Sequence, residues 1–146
     1  MSGSYFVGTK EYFPTVKKIR YEGKNSRNPL SFKFYDPDKI VAGKSMREHL
    51  RFAVAYWHTF CATGSDPFGS ATLPHPWDEK SDPLAKAIDK ADAAFEFFTK
   101  LGVDYYCFHD IDAAPDAEAA AYEKNMQKIT EVLRERQKAT GGCGDL

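Results

Sequence analysis

Apolar residues in this chain gather in separate stretches, each with its own period. From Pro83 to Gly102, residues Leu84, Ile88, Ala91, Phe95, Phe98 and Leu101 recur at the spacing of one helical face. Asp82 supplies an N-cap, Pro83 suits the first helical position and Gly102 gives a C-terminal stop. The run from Val103 to His109 is then continuously apolar and aromatic, as in a parallel strand covered on both faces. It breaks off at His109, Asp110 and Asp112, and the carboxyl ends of such strands are where α/β folds place their chemistry. Pro115-Asp116 leads into a second amphipathic helix with a core face of Tyr122, Met126, Ile129 and Leu133, ended by Gly141.

Upstream the pattern is less decided. Ser45-x-x-Glu48 is a capping box that opens a helix over Met46 to Arg51. In LRFAVAYWHTF, residues 50–60, Phe52, Val54 and Tyr56 alternate as in a strand, while Met46, Leu50, Val54 and Trp57 fall at helical spacing. Periodicity leaves both readings open. If the segment is a strand, residues 45–146 read as a helix followed by βαβα, the unit of parallel α/β folds. Residues 1–44 lack sustained periodicity and carry turn signals at Phe13-Pro14, Asn28-Pro29 and Tyr35-Asp36-Pro37-Asp38. They read as an irregular arm, and Tyr12, Phe13, Tyr21, Phe32, Phe34 and Tyr35 imply that it lies against something. Gly64 to Pro83 is broken by glycine and proline into a long loop, a length that usually accompanies a function.

Composition narrows the class. At 146 residues, with 42% hydrophobic and 28% charged residues, the chain is one domain long and globular. Lys and Arg total 20 against 21 Asp and Glu, so a net charge of −1 offers no field for nucleic acid. No apolar run approaches a membrane span and no signal-peptide core follows Met1, so the expected address is cytoplasmic. Cys61, Cys107 and Cys143 show no C-x-x-C spacing and read as reduced thiols, with Cys107 a small core residue.

His109 and Asp112 are the leading chemical candidates, since a histidine acts as acid or base near neutral pH and a carboxylate fixes its tautomer. The same pair is equally compatible with a loop hydrogen bond. Asp110 adds a third ligand-type group and brings a divalent metal into view, although so compact a trio needs ligands from elsewhere. Trp57 ends the other apolar run, as core or as a substrate wall. Phe68 sits at the tip of the turn Asp66-Pro67-Phe68-Gly69, where an exposed aromatic suggests a partner surface or a neighbouring pocket. There is no phosphate-binding glycine pattern.

Taken together, YEGKNSRNPLSFKFYDP, LRFAVAYWHTF, GSDPFGSAT and YYCFHDID resemble the xylose isomerase family, in its class with a longer amino-terminal extension, from about Tyr12 to Thr140. The resemblance implies an α/β fold, the first two βα units of a (β/α)8 TIM barrel preceded by the arm. LRFAVAYWHTF becomes the first barrel strand and VDYYCFHDID the second. By the same resemblance, His109 assists sugar ring opening, Asp112 orients it, and Trp57 lines the apolar side of the sugar site. Phe68 reaches into a neighbouring subunit's site. The family interconverts aldopentoses or aldohexoses with their ketoses, as a tetramer, using two divalent metals such as magnesium or manganese. Its metal ligands and catalytic lysine have no counterpart in this chain. After Gly141 the family continues into a third strand, whereas GGCGDL reads as a premature stop. The isolated chain is thus expected to be an inactive truncated isomerase or, alternatively, a noncatalytic fragment that binds full-length isomerase subunits through Phe68 and its open strand edges.

Overall fold

The computed structural model describes residues 6–141 and the backbone of residues 144 and 145. In chain order the elements are β1 (Ile40–Val41), β2 (Lys44–Ser45), α1 (Met46–His49), β3 (Ala53–Ala55), α2 (Tyr56–Thr59), α3 (Pro83–Leu101), β4 (Tyr105–Cys107), α4 (Asp110–Ala113), α5 (Ala119–Thr140) and β5 (Gly144–Asp145). They form an antiparallel β1–β2 hairpin and a parallel sheet ordered β3-β4-β5. The architecture is small α/β with two sheets.

Helix α3 matches its sequence signals at both ends. The Asp82 carboxylate accepts the Ala85 N–H at 2.7 Å, and Gly102 turns left-handed at φ 76°, a conformation that suits a residue without Cβ. One face of the helix buries Ala91, Phe95 and Phe98, and the Tyr106 ring of β4 meets Phe95 edge-on and stacks on Phe98 at 5.1 Å. Helix α5 adds Ile129, Val132 and Leu133 to the same core. Phe60 is a hub, meeting Tyr56, Trp77, Phe97 and Phe98 edge-on or tilted.

The polar stripe of α3 departs from the amphipathic expectation because it too is buried. Asp92, Glu96 and Lys100 lie one turn apart, and none faces solvent. The arm covers the last two. Glu96 accepts the backbone N–H groups of Tyr12 at 2.7 Å and Phe13 at 2.8 Å, while Lys100 donates to Glu96, to Glu11 and to the Phe13 carbonyl. Asp92 instead takes Arg136 of α5 at 2.6 Å. Burial with partners on every side is the arrangement that makes such charges tolerable.

Several expectations are corrected. The arm is not wholly irregular, because its end forms the β1–β2 hairpin across Ala42 and Gly43, both at positive φ as a two-residue turn of this kind requires. Tyr21 and Phe32 also bridge in parallel. The capping box at Ser45 is present, but α1 ends at His49, not at Arg51. The undecided segment is a strand only over Ala53–Ala55, after which Tyr56–Thr59 closes into a helical turn. The second strand likewise holds only Tyr105–Cys107, since His109 caps the turn α4, and the second long helix starts at Ala119. Within GGCGDL, Gly144–Asp145 pairs in parallel with β4 where no strand was expected. Cys143 lies outside the described residues.

Candidate active site

The register of β3 on β4 builds the site. Ala53 faces Tyr105, Val54 faces Tyr106 and Ala55 faces Cys107. Because side chains alternate along strands, Val54 and Tyr106 are buried toward the helices, while Ala53, Ala55, Tyr105 and Cys107 take the opposite, more open face. That covered-on-one-side state corrects the expectation of a strand buried on both faces. Two residues past each strand, the same alternation brings Trp57 and His109 together, with ring centroids 4.7 Å apart and planes inclined by 39°.

His109 is fixed by the turn that follows it. One carboxylate oxygen of Asp112, Oδ2, accepts the His109 backbone N–H at 2.8 Å and faces its ring Nδ1 at 2.9 Å. The Asp112 N–H returns a bond to the His109 carbonyl at 3.0 Å, which closes the turn. The Asp112 side chain is only 11% exposed, whereas that of His109 is 65% exposed. A carboxylate can only accept, so it selects the tautomer with hydrogen on Nδ1 and leaves Nε2 free to exchange a proton with a ligand. The indole of Trp57 supplies an apolar wall beside the imidazole.

Phe68 is not part of this cluster. The Asp66 carboxylate accepts the Phe68 N–H at 2.8 Å and shapes the turn, leaving the side chain 97% exposed. Below the tip the loop is firmly tied. Thr63 accepts from Thr72 and Leu73, each at 2.9 Å, and His75 bonds the Ala62 carbonyl at 2.7 Å. The His75 ring stacks on Trp77, and Trp77 donates to the Phe60 carbonyl at 3.2 Å. Sequence reasoning missed both residues. Their signal was a histidine and a tryptophan spaced by prolines, in a loop otherwise rich in small and polar residues.

Asp110 does not join His109 and Asp112 as a third ligand. Its carboxylate accepts the Ile111 N–H at 2.9 Å and bonds Tyr122, whose phenol is raised above its ordinary pKa by desolvation and by that carboxylate. Among the described residues no three His, Cys, Asp or Glu side chains converge as a metal site. The described residues of this chain therefore do not form a site that fits the metals implied by the resemblance.

These features define an α/β protein with an aromatic-walled, carboxylate-oriented histidine at the carboxyl ends of adjacent parallel strands. Comparison with known proteins finds relatives for nearly the whole length of this chain. Xylose isomerase 1 of Xanthomonas campestris pv. campestris is 60% identical over 142 residues, which are 97% of this chain and 32% of that protein. The xylose isomerase of Xanthomonas oryzae pv. oryzae is 56% identical over 142 residues with the same coverage. Xylose isomerase 1 of Xanthomonas axonopodis pv. citri is 58% identical over 137 residues, or 93% of this chain and 31% of that protein. No family model matches the chain. Over nearly its whole length, this chain is homologous to the amino-terminal third of proteins named xylose isomerase, and it spans about a third of their length.

Proposed function

We propose that the chain contributes the ring-opening half of an aldose–ketose isomerase site, acting on xylose. In this reading β3, α3, β4 and α5 are the first two βα units of a (β/α)8 barrel, and the all-parallel order β3-β4-β5 supports it. The carrying observation is Asp112 Oδ2, which holds both the backbone and the ring of His109 while Trp57 flanks the imidazole. His109 Nε2 takes the proton from the anomeric hydroxyl and returns a proton to the ring oxygen as the bond between C1 and that oxygen breaks and the ring opens. Asp112 steadies the imidazolium that results, and Trp57 excludes water from one side of the sugar. Phe68 has no role within its own subunit. It extends toward the site of a second copy, in keeping with an oligomeric enzyme. The family's two divalent metals, magnesium or manganese, would be held by residues outside this chain. A cytoplasmic location accords with there being no helix, among the described residues, long and apolar enough to cross a membrane.

The test is a chimera in which this chain replaces the matching segment of the Xanthomonas campestris enzyme. It should convert xylose to xylulose, and His109→Gln should lower kcat by roughly a hundredfold, as loss of a general acid–base does. A folded, metal-loaded chimera whose rate is indifferent to His109→Gln overturns the assignment. The chain alone, given magnesium or manganese, should show no turnover.

A further inference from the structure

Two half-buried or buried lysines on α3 have opposite surroundings. Lys100 is satisfied by two carboxylates, those of Glu96 and Glu11. Lys90 makes no ion pair among the described residues. Its ammonium stands over the Tyr56 ring, 5.7 Å from the centroid, and donates to the sulfur of Cys61 at 3.4 Å. The thiol is held from the other side, its S–H directed at the Asp112 carbonyl at 3.7 Å. Amine and sulfur are thus aimed at each other by independent partners, and the cation that would ordinarily seek a carboxylate has sulfur instead.

We infer that Cys61 and Lys90 form a redox-sensitive pair which a hydroperoxide converts to a covalent sulfur–oxygen–nitrogen bridge. In the first step the sulfur attacks a peroxide oxygen and the O–O bond breaks. The thiol becomes a sulfenic acid, and the hydroperoxide is reduced to its alcohol, or to water where it is hydrogen peroxide. Lys90 then gives one proton to solvent as the free amine forms. In the second step another hydroperoxide accepts two electrons and two protons, one from the sulfenic O–H and one from the amine. The N–O bond forms, and alcohol and water leave. The product is Cys61 Sγ–O–Nζ Lys90, four electrons more oxidised than thiol and amine. Four equivalents of a thiol reverse it, giving back thiol, amine and one water.

The bridge ties the end of the first strand segment to α3 and removes the S–H from Asp112. Oxidation therefore withdraws a support from the turn that orients His109. Burial raises the Cys61 thiol above its ordinary pKa, so at rest it stays protonated on Asp112 and the first oxidation needs sustained peroxide.

The purified full chain, exposed to hydrogen peroxide and digested, tests this directly. Expected is one linked peptide pair joining Cys61 to Lys90, heavier by one oxygen and lighter by two hydrogens than the separate peptides, and lost after dithiothreitol. It should be absent from Lys90→Arg, which keeps the charge but not the amine, and from Cys61→Ser. Oxidation of Cys61 to sulfinic acid or to a disulfide with Lys90 unlinked overturns the inference, as does unmodified Cys61. Because the wild-type map decides, the result does not depend on how well either variant folds.

Discussion

The two faces of the parallel sheet use the same three-residue strands for opposite ends. Toward the helices, Val54 and Tyr106 meet Phe95, Phe98 and Ile129 in a packed core. Toward the other side, Ala53 and Ala55 are small, Tyr105 and Cys107 are half-buried, and Trp57 with His109 ends the rows. One face carries the cohesion and the other is left open. A period of two is enough to divide the labour, because neighbouring residues never share a face.

Substitutions should separate the faces. Phe98→Ala on the covered face removes a ring stacked on Tyr106 and should cost about 3–5 kcal/mol, read by urea unfolding. A cost below about 1 kcal/mol would mean the helix side does not carry the fold. Glu96→Ala, which strands buried Lys100 and frees the Tyr12 and Phe13 amides, should approach about 3 kcal/mol and expose the arm to limited proteolysis. The same clamp gives a pH dependence. Desolvation lowers the Lys100 pKa, but the bonds from Glu96 and Glu11 outweigh it and raise the net value. Its stabilising contribution is therefore complete below the ordinary lysine pKa of about 10.4 and is lost as pH rises through the raised value. Alkaline titration should release the arm in the wild type and have no such step in Lys100→Met.

On the open face the stability effects shrink while the local chemical effects grow. Asp112→Asn should cost about 1 kcal/mol, the value of a hydrogen bond retained in weaker form, yet nitrogen NMR of His109 should show the Nδ1–H tautomer losing its preference. Phe68→Ser, at a fully exposed tip, should stay within about 0.5 kcal/mol. Its consequence should instead appear in native mass spectrometry, as weaker association with intact isomerase subunits. Unchanged association would remove Phe68 from any contact between copies.

How much of this was readable from residues alone follows the same division. Helix α3 with its Asp82 and Gly102 caps and the core face of α5 were legible because local signals and final burial agree; the strand before His109 was legible in place, but not in its three-residue length or its single covered face. The pair His109 and Asp112 was legible from spacing, since three residues span one turn. The turn itself was not, because Asp110–Ala113 becomes helical through the bonds Asp112 makes to His109, which only a folded strand end can offer. The short helix Tyr56–Thr59 was hidden by a pattern that fits both periods. The burial of the stripe Asp92, Glu96 and Lys100 was not legible, because nothing in its own sequence announces that Glu11, Tyr12 and Phe13 return to cover it.

The register of β3 on β4 also dictates an order of events. Partners such as Ala53 and Tyr105 lie 52 residues apart, so their ladder closes a long loop for only three pairs of residues. Closing a flexible loop of that size costs several times RT, growing as about 1.5 RT ln n. Helix α3, by contrast, is built from contacts between residues three and four apart. It should form early and shorten the path between the strands, so that β3 and β4 zip together late. Their amides should therefore gain hydrogen-exchange protection as one unit, after those of Ala91 through Phe98.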